Sequence, residues 1–301
     1  MLTFINPKTD FAFKKIFGSP QSKDILISFL NAILYQEQPT IQDLTILDPY
    51  QAPRIAGIKD SYLDVKAELA DHTSVIIEMQ VLNVLGFEKR VLYNAAKAFS
   101  IQLGVGEDYT HLNPVIALTI TDFEMFENSA NENSAKVISR YRLKEKDDLT
   151  DYSDDIELVF AELPKFTKTL DELNTLTDKW LYFLKSANQL EKIPPNLDNV
   201  AEIHHAFEVA RQSCLSKDEL ELLEKREIFL HDSRNAIRKA KLVGEAKGRA
   251  EGRAEGRAEG HAEGAKDAKL EIARSLLGLL DLETISQKTG LSLQEVERLQ
   301  P

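Results

Sequence analysis

The amino-acid sequence predicts an α/β fold in which a mixed sheet flanked by helices is followed by a helical region and a low-complexity helical tail. Three observations predict it. Helix and strand patterns alternate over residues 1–165, residues 166–240 carry only helical spacings of apolar side chains, and residues 241–270 contain a four-residue glycine repeat. A short helix-turn-helix pattern over residues 271–301 completes a division of the chain into four segments.

The elements of the first segment follow from the spacing of its apolar residues. Helical spacing predicts helices at residues 10–17, 23–34 and 87–103. Alternation of apolar and polar residues predicts strands at residues 41–47, 62–69, 74–81, 114–121 and 156–162. The third helix lies between two strands, which is typical of a crossover connection. The acidic, Asn-rich residues 124–134 are predicted to form a surface insertion.

Composition and charge exclude several classes of protein. The 301 residues include 37 Lys and Arg against 49 Asp and Glu, and the net charge of −12 argues against a broad nonspecific nucleic-acid surface. Cys214 is the single cysteine, so the sequence offers neither an internal disulfide nor a zinc motif. Apolar runs fall short of the roughly 20 residues that cross a bilayer, and the first residues lack the pattern of a secretory signal. We expect a cytoplasmic protein that does not enter a membrane.

The strongest signal for chemistry is the predicted hairpin formed by strands 62–69 and 74–81. Its apolar residues must share one face, and a three-residue turn between Leu69 and Thr73 achieves this when the numbers of paired residues sum to 142. Asp64 then lies opposite Glu78, and His72 takes the turn position that often requires a positive φ. The residues expected on the apolar face are Leu63, Val65, Ala67, Leu69, Val75, Ile77, Met79 and Val81.

Two carboxylates directly opposed on a hairpin repel each other unless something neutralises them. A divalent cation such as magnesium or manganese would do so, since both prefer oxygen ligands, and Gln80 faces the same side as a neutral ligand or donor. The alternative is an exposed sheet face on which both carboxylates are solvated or paired with Lys66. The hairpin geometry alone leaves both interpretations open.

The helix that follows the hairpin can add positive charge to such a site. Arg90, Tyr93 and Lys97 stand at i, i+3 and i+7 and therefore share one helical face. If that face looks across the sheet edge, Lys97 lies beside the carboxylates and Arg90 can clamp a phosphate. A solvated helical face is the alternative.

The tail repeats the unit Gly-Arg-Ala-Glu, with glycine at every fourth position from Gly244 to Gly264. On a helix this period makes a slowly winding seam of small residues, along which two helices could pack closely. Six glycines also weaken a helix, so the repeat has two interpretations, a self-associating stalk and a flexible linker. The final helix-turn-helix pattern carries Glu295 and Glu297 on its second helix, which favours a capping or dimerising element over a DNA reader.

Several stretches in order resemble one family. They are NPKTDFAFKKIFG, SYLDVKAELADHTSVIIEMQ, FEKRVLYNAAKAFS, FAELPKF, DKWLYFL and the glycine repeat with its TGLSLQEVERL ending. Together they resemble the recombination-promoting nuclease/transposase (Rpn) family of the PD-(D/E)XK nuclease superfamily. The resemblance implies a restriction-endonuclease-like core at residues 1–165 and a magnesium-dependent DNA endonuclease that acts without a recombinase and is linked to horizontal gene transfer.

The resemblance also implies roles for individual residues. Asp64 matches the motif aspartate and Glu78 the second acid, both as metal ligands. Gln80, the usual residue in this family, stands where the wider superfamily has the lysine that orients the attacking water, and Lys97 is a candidate for the displaced lysine. Asp10 matches the acid near the start of the family, although a helix N-cap or an ion pair explains it equally well.

Two further interpretations compete with the endonuclease. Glycine repeats of this kind also resemble the helices of flagellar assembly proteins, which would make the chain a non-catalytic assembly protein. The missing motif lysine alternatively favours a nuclease fold that has lost catalysis and only binds DNA or a partner. The first interpretation leaves Asp64, Glu78 and Gln80 without a role.

Overall fold

A computed structural model describes residues 3–51, 61–126 and 136–300. It confirms the predicted fold class, since a six-stranded mixed sheet is flanked by helices and followed by a helical C-terminal region. The strands are β1 (Leu44–Leu47), β2 (Tyr50–Gln51), β3 (Ser61–Tyr62), β4 (Val65–Leu69), β5 (Ser74–Gln80), β6 (Val115–Thr121), β7 (Ile138–Lys144) and β8 (Asp151–Glu162). The helices of the same part of the chain are α1 (Asp10–Phe17), α2 (Lys23–Leu34) and α3 (Phe87–Ser100).

The main sheet has the order β1-β4-β5-β6-β8-β7, and a separate two-stranded sheet pairs β2 with β3. The β4–β5 hairpin is antiparallel, whereas β5, β6 and β8 run parallel to one another. Parallel neighbours need a crossover, and α3 supplies it between β5 and β6 as predicted. Antiparallel strands therefore form both edges of the sheet around a parallel centre.

Helices cover both faces of the sheet, so its central strands are buried on each side. Ala95 and Ala98 of α3 pack with Ile76 on one face. On the other face α1 and α2 share a core with the later helices α4 (Leu176–Ser186) and α6 (Ala201–Val209). Trp180 is fully buried in that core, where it contacts Phe17, Phe29 and Phe183, and its truncation to Ala should cost about 3–5 kcal/mol.

The structure differs from the sequence prediction mainly in its strands, and it also contains the sheet of β2 and β3, which was not predicted. β7 was not predicted, because its residues ISRYRLK are largely exposed and alternate apolar with polar residues only over the short stretch 140–144. β8 begins at Asp151 instead of residue 156. The predicted strand 62–69 is interrupted at residues 63–64, so Leu63 joins Ile76 in the cluster beneath α3 instead of sharing a face with Val65. Residues 127–134 of the predicted insertion lie outside the described residues.

The chain divides into two compact units, Met1–Ser233 and Arg234–Pro301. The helical segment that follows β8 contains α4, α5 (Pro195–Asp198) and α6, and the long helix α7 spans Lys217–Leu276. The four-part division at residues 165, 240 and 270 rests on composition and stays a prediction. No helix in the described ranges is long and apolar enough to span a bilayer.

The glycine repeat lies within α7, and the ion pairs Glu245–Arg249 and Lys247–Glu251, each four residues apart, lie at its N-terminal end. A Cβ added at any repeat glycine would meet no atom within 4 Å in the described part of the chain. The last residues form α8 (Leu282–Thr289) and α9 (Leu293–Glu297), with Gly290 in the left-handed conformation between them, as the helix-turn-helix pattern predicts. Ile285 and Val296 of these two helices pack with Ala273 of α7.

Candidate active site

An open cleft of about 870 Å³ lies where β5 ends and β4 begins, beside the first turns of α1 and α3. Six of the seven residues predicted for the site line this cleft: Asp10, Asp64, Glu78, Gln80, Arg90 and Tyr93. The seventh, Lys97, is buried, and its Nζ donates to the backbone oxygen of Gln51 at 2.8 Å.

The hairpin brings Asp64 and Glu78 together. The predicted register is confirmed, since Val65 pairs with Ile77 and the numbers sum to 142. His72 has the expected positive φ, 66°. Asp64 lies just before β4, where its backbone N–H donates to the Ile77 oxygen and its Oδ2 accepts the Met79 N–H at 2.7 Å. These two contacts flank Glu78, so both carboxylates face the same cleft.

Asp64 and Asp10 are joined by a hydrogen bond between their carboxyl groups. Burial, followed by a hydrogen bond with Asp10, raises the pKa of Asp64 to about 7, although the Met79 N–H and Lys14 oppose the shift. Partial burial also opposes ionisation of Asp10, but its hydrogen bond with Asp64 and its pairing with Lys14 outweigh this and lower its pKa. The two acids therefore titrate together, and burial favours the protonated form of Asp64.

Glu78 is the second buried acid of the cleft. Burial raises its pKa, while Arg90 and a hydrogen bond from Asn94 oppose the shift. The Arg90 guanidinium lies 3.8 Å from Oε2 of Glu78, and Asn94 Nδ2 donates to Oε1. Glu78 is thus held from the α3 side, whereas Asp64 is held from the α1 side.

Gln80 and Arg90 form the rim of the cleft next to Glu78. Arg90 Nη2 donates to Oε1 of Gln80 at 2.6 Å, and Gln80 Nε2 donates to the Leu82 oxygen at 2.7 Å. The Arg90 guanidinium also lies 5.0 Å from the centre of the Phe87 ring. These contacts orient a positive charge toward the acids without sealing the cleft.

Three residues at the site were not predicted for it. Lys14 Nζ lies 2.8 Å from Asp10 Oδ1 and 3.5 Å from Asp64 Oδ1, and burial is outweighed by these two acids, which raise its pKa. Asn94 stands four residues after Arg90, so helical spacing could have found it. Arg226 of α7 reaches to 3.6 Å from Asp10 Oδ2, a contact between residues so distant in sequence that no local pattern signals it.

The donor set of the cleft matches a hard divalent cation. Carboxylates of Asp64 and Glu78 and the amide of Gln80 offer oxygen atoms, the ligands that magnesium and manganese prefer. Among the described residues no three Asp, Glu, His or Cys side chains already form a ligand group. Lys14 and Arg90 carry the positive charge beside the acids instead.

A mixed sheet with two acids gathered at one end of a β-hairpin defines an α/β domain of the nuclease type. The chain belongs to the family described as PD-(D/E)XK nuclease family transposase, whose model matches residues 7–240. The match confirms the resemblance noted from the sequence and supports a nuclease-type function. Comparison with curated proteins and with solved structures gives no match.

Proposed function

We propose that the protein is a metal-dependent DNA endonuclease that hydrolyses phosphodiester bonds. The observation that carries the proposal is the pair of buried acids, Asp64 and Glu78, facing one open cleft that also presents Arg90. Two acids whose charged forms are disfavoured by burial are typical of functional sites. The family to which the chain belongs supports the same reaction class.

Asp64 and Glu78 would hold the cation, which we take to be magnesium or manganese. Such an ion, when bound, lowers the pKa of water and stabilises negative charge on the phosphodiester. The cost of burying two carboxylates would then be offset by a charge of opposite sign. Asp10 would keep Asp64 oriented through their hydrogen bond.

The basic residues would bind and orient the DNA phosphate. The guanidinium of Arg90 is held by Gln80 and lies beside Glu78, so it could contact a phosphate bound next to Glu78. Tyr93 stands one turn along the same helix and lines the cleft. Lys97 remains our prediction for the displaced motif lysine, and Lys14, which contacts Asp64 directly, is the second lysine to test.

Nicking of supercoiled plasmid by the purified protein tests this function. We expect cutting only with magnesium or manganese, and loss of at least about a hundredfold in rate for Asp64→Asn and Glu78→Gln. Glu68→Gln, an exposed acid of β4 that does not line the cleft, is the matched control and should cut normally. Comparison of Lys97→Met with Lys14→Met identifies which lysine the reaction needs. Equal cutting by Asp64→Asn and the control would refute the proposal.

A catalytically inactive nuclease fold that binds DNA or a partner is the second candidate, favoured by one observation. Gln80 occupies the position of the lysine of the wider superfamily, and its amide is engaged by Arg90 and Leu82. This candidate predicts DNA binding that survives in the absence of metal together with no cutting under any metal. The plasmid assay and a binding assay together separate the two.

We further propose that copies of the chain self-associate through the glycine repeat and the tail. The open surroundings of the repeat glycines support this, because a second helix could approach them closely. Light scattering after gel filtration should give a multiple of 34.0 kDa, and Gly252→Ala with Gly256→Ala should reduce it. A monomer at all concentrations would contradict it. We also propose that the nuclease is located in the cytoplasm and acts on DNA in recombination.

A further inference from the structure

The wall of the candidate active site carries exposed apolar side chains as well as acids. Tyr62 is 72% exposed and Leu85 is fully exposed, and both line the cleft together with the partly exposed Val84 and Tyr93. Large apolar side chains left in water beside a polar site usually mark a binding surface. Their position beside Asp64 and Glu78 ties this surface to the substrate.

The Tyr62 ring is supported from behind. Tyr50 pairs with Tyr62 across the β2–β3 ladder, and their ring centres lie 4.9 Å apart at an angle of 32°. The backbone pairing holds the two rings next to each other. The Tyr62 side chain therefore loses little conformational entropy when a flat ligand binds. Stacking of this kind is how proteins hold unpaired bases, since every base offers a flat face.

The charge of the cleft argues in the same direction. Among the described residues, Lys89 and Arg90 on the first turn of α3 are the basic residues that line the cleft, and Arg90 already contacts an acid. Duplex DNA is held mainly through many phosphate contacts, and the described lining of the cleft offers few cations for them. In a duplex the faces of the bases are also hidden in the stack.

We propose that the cleft binds unpaired nucleotides next to the scissile phosphate, with one base stacked on Tyr62 against Leu85 and the phosphate near Lys89. The substrate is accordingly DNA with a single-stranded stretch, such as a flap, gap or overhang. This inference rests on the proposed endonuclease function and specifies its substrate class. The cleft volume, about 870 Å³, accommodates a ligand of that size.

Fluorescence anisotropy in EDTA tests the inference apart from cutting. The probes are one labelled oligonucleotide as a single strand, as a blunt duplex and as a duplex with a flap. We expect the single strand and the flap to bind more tightly than the duplex. Tyr62→Ala should weaken single-strand binding by about tenfold, whereas Tyr62→Phe, which keeps the ring, should not. Tyr109→Ala, equally exposed but away from the cleft, is the matched control.

Two results would overturn the inference: equal affinity for duplex and single strand, or unchanged single-strand affinity in a folded Tyr62→Ala variant. No measurable DNA binding would overturn it as well. These results are distinguishable from failure of the endonuclease proposal. If the protein nicks plasmid but prefers duplex, the endonuclease proposal stands and the proposed substrate class is wrong. If it prefers single strands but does not cut, the binding preference stands and the endonuclease proposal is wrong.

Discussion

Asp64→Asn is expected to stabilise the metal-free protein at alkaline pH while abolishing activity. The pKa of Asp64 is raised to about 7, chiefly by burial, whereas the unfolded chain releases the same proton near 3.8. The folded protein therefore binds more protons than the unfolded chain between these values. It follows that the free energy of unfolding falls as pH rises through this window. The lowered pKa of Asp10 acts at lower pH, where its stabilising effect is lost on acidification.

The size of the effect follows from the same pKa. A rise from 3.8 to about 7 corresponds to an upper limit of about 4 kcal/mol above pH 7. Relaxation around the charge and the nearby Lys14 reduce it, so we expect about 2 kcal/mol. Asn keeps an oxygen for the Met79 N–H and presents an N–H to Asp10, which is the hydrogen-bonding pattern of a protonated Asp64.

Urea unfolding in EDTA, followed by fluorescence of the single tryptophan, measures the effect. Trp180 is fully buried in the core of Met1–Ser233, so its emission reports unfolding of that unit. The variant should be more stable than the wild type near about pH 8.5, and the difference should shrink as pH falls toward the unfolded pKa of 3.8. Glu68→Gln, at an exposed position, should leave the pH dependence unchanged. A wild-type protein whose stability does not decline over this range would refute the reasoning.

Three further predictions concern stability. Lys165→Met should lower the free energy of unfolding by about 3 kcal/mol, because it leaves Glu162 buried without its cation at 2.8 Å, and urea unfolding measures this. His72→Val should cost about 1 kcal/mol, since a β-branched residue adopts the φ of 66° poorly, whereas His72→Gly should cost less; thermal unfolding compares the two. Gly248→Ala should raise the helicity and melting temperature of residues 234–301 by circular dichroism, with a gain of up to about 1 kcal/mol; a loss would show that the glycine is needed for close packing.

Much of the fold could be predicted because its apolar patterns are strong and local. Helices α1 and α2 begin and end where the spacing predicted, and the hairpin register followed from the requirement that apolar residues share a face. β7 escaped because an exposed edge strand carries little apolar signal. The break at residues 63–64 was not predicted, because both faces of the sheet are apolar there and a leucine at position 63 fits either one. The sequence pattern therefore does not show on which face Leu63 lies.

The candidate site was predictable where it depends on one hairpin and one helix. Asp64, Glu78, Gln80 and Arg90 come together through local register and helical spacing. The direction of Lys97 could not be foreseen, because its partner Gln51 lies on a strand whose position depends on the tertiary fold. The contact of Arg226 with Asp10 likewise exists only once α7 has packed beside α1.

The glycine repeat has a consequence for how its length can vary. The ion pairs Glu245–Arg249 and Lys247–Glu251 join the unit Gly-Glu-Ala-Lys at residues 244–247 to the first Gly-Arg-Ala-Glu unit. Successive Gly-Arg-Ala-Glu units instead place Arg four residues from Arg and Glu four residues from Glu. Insertion or deletion of one unit would lengthen or shorten the helix by about 6 Å and would add or remove one set of these like-charge neighbours. Since no repeat glycine is confined by a neighbour within 4 Å in the described chain, each unit is interchangeable with the next. Helix length in this region can therefore change in fixed steps, and each added unit weakens the helix slightly through its glycine and its like-charge neighbours.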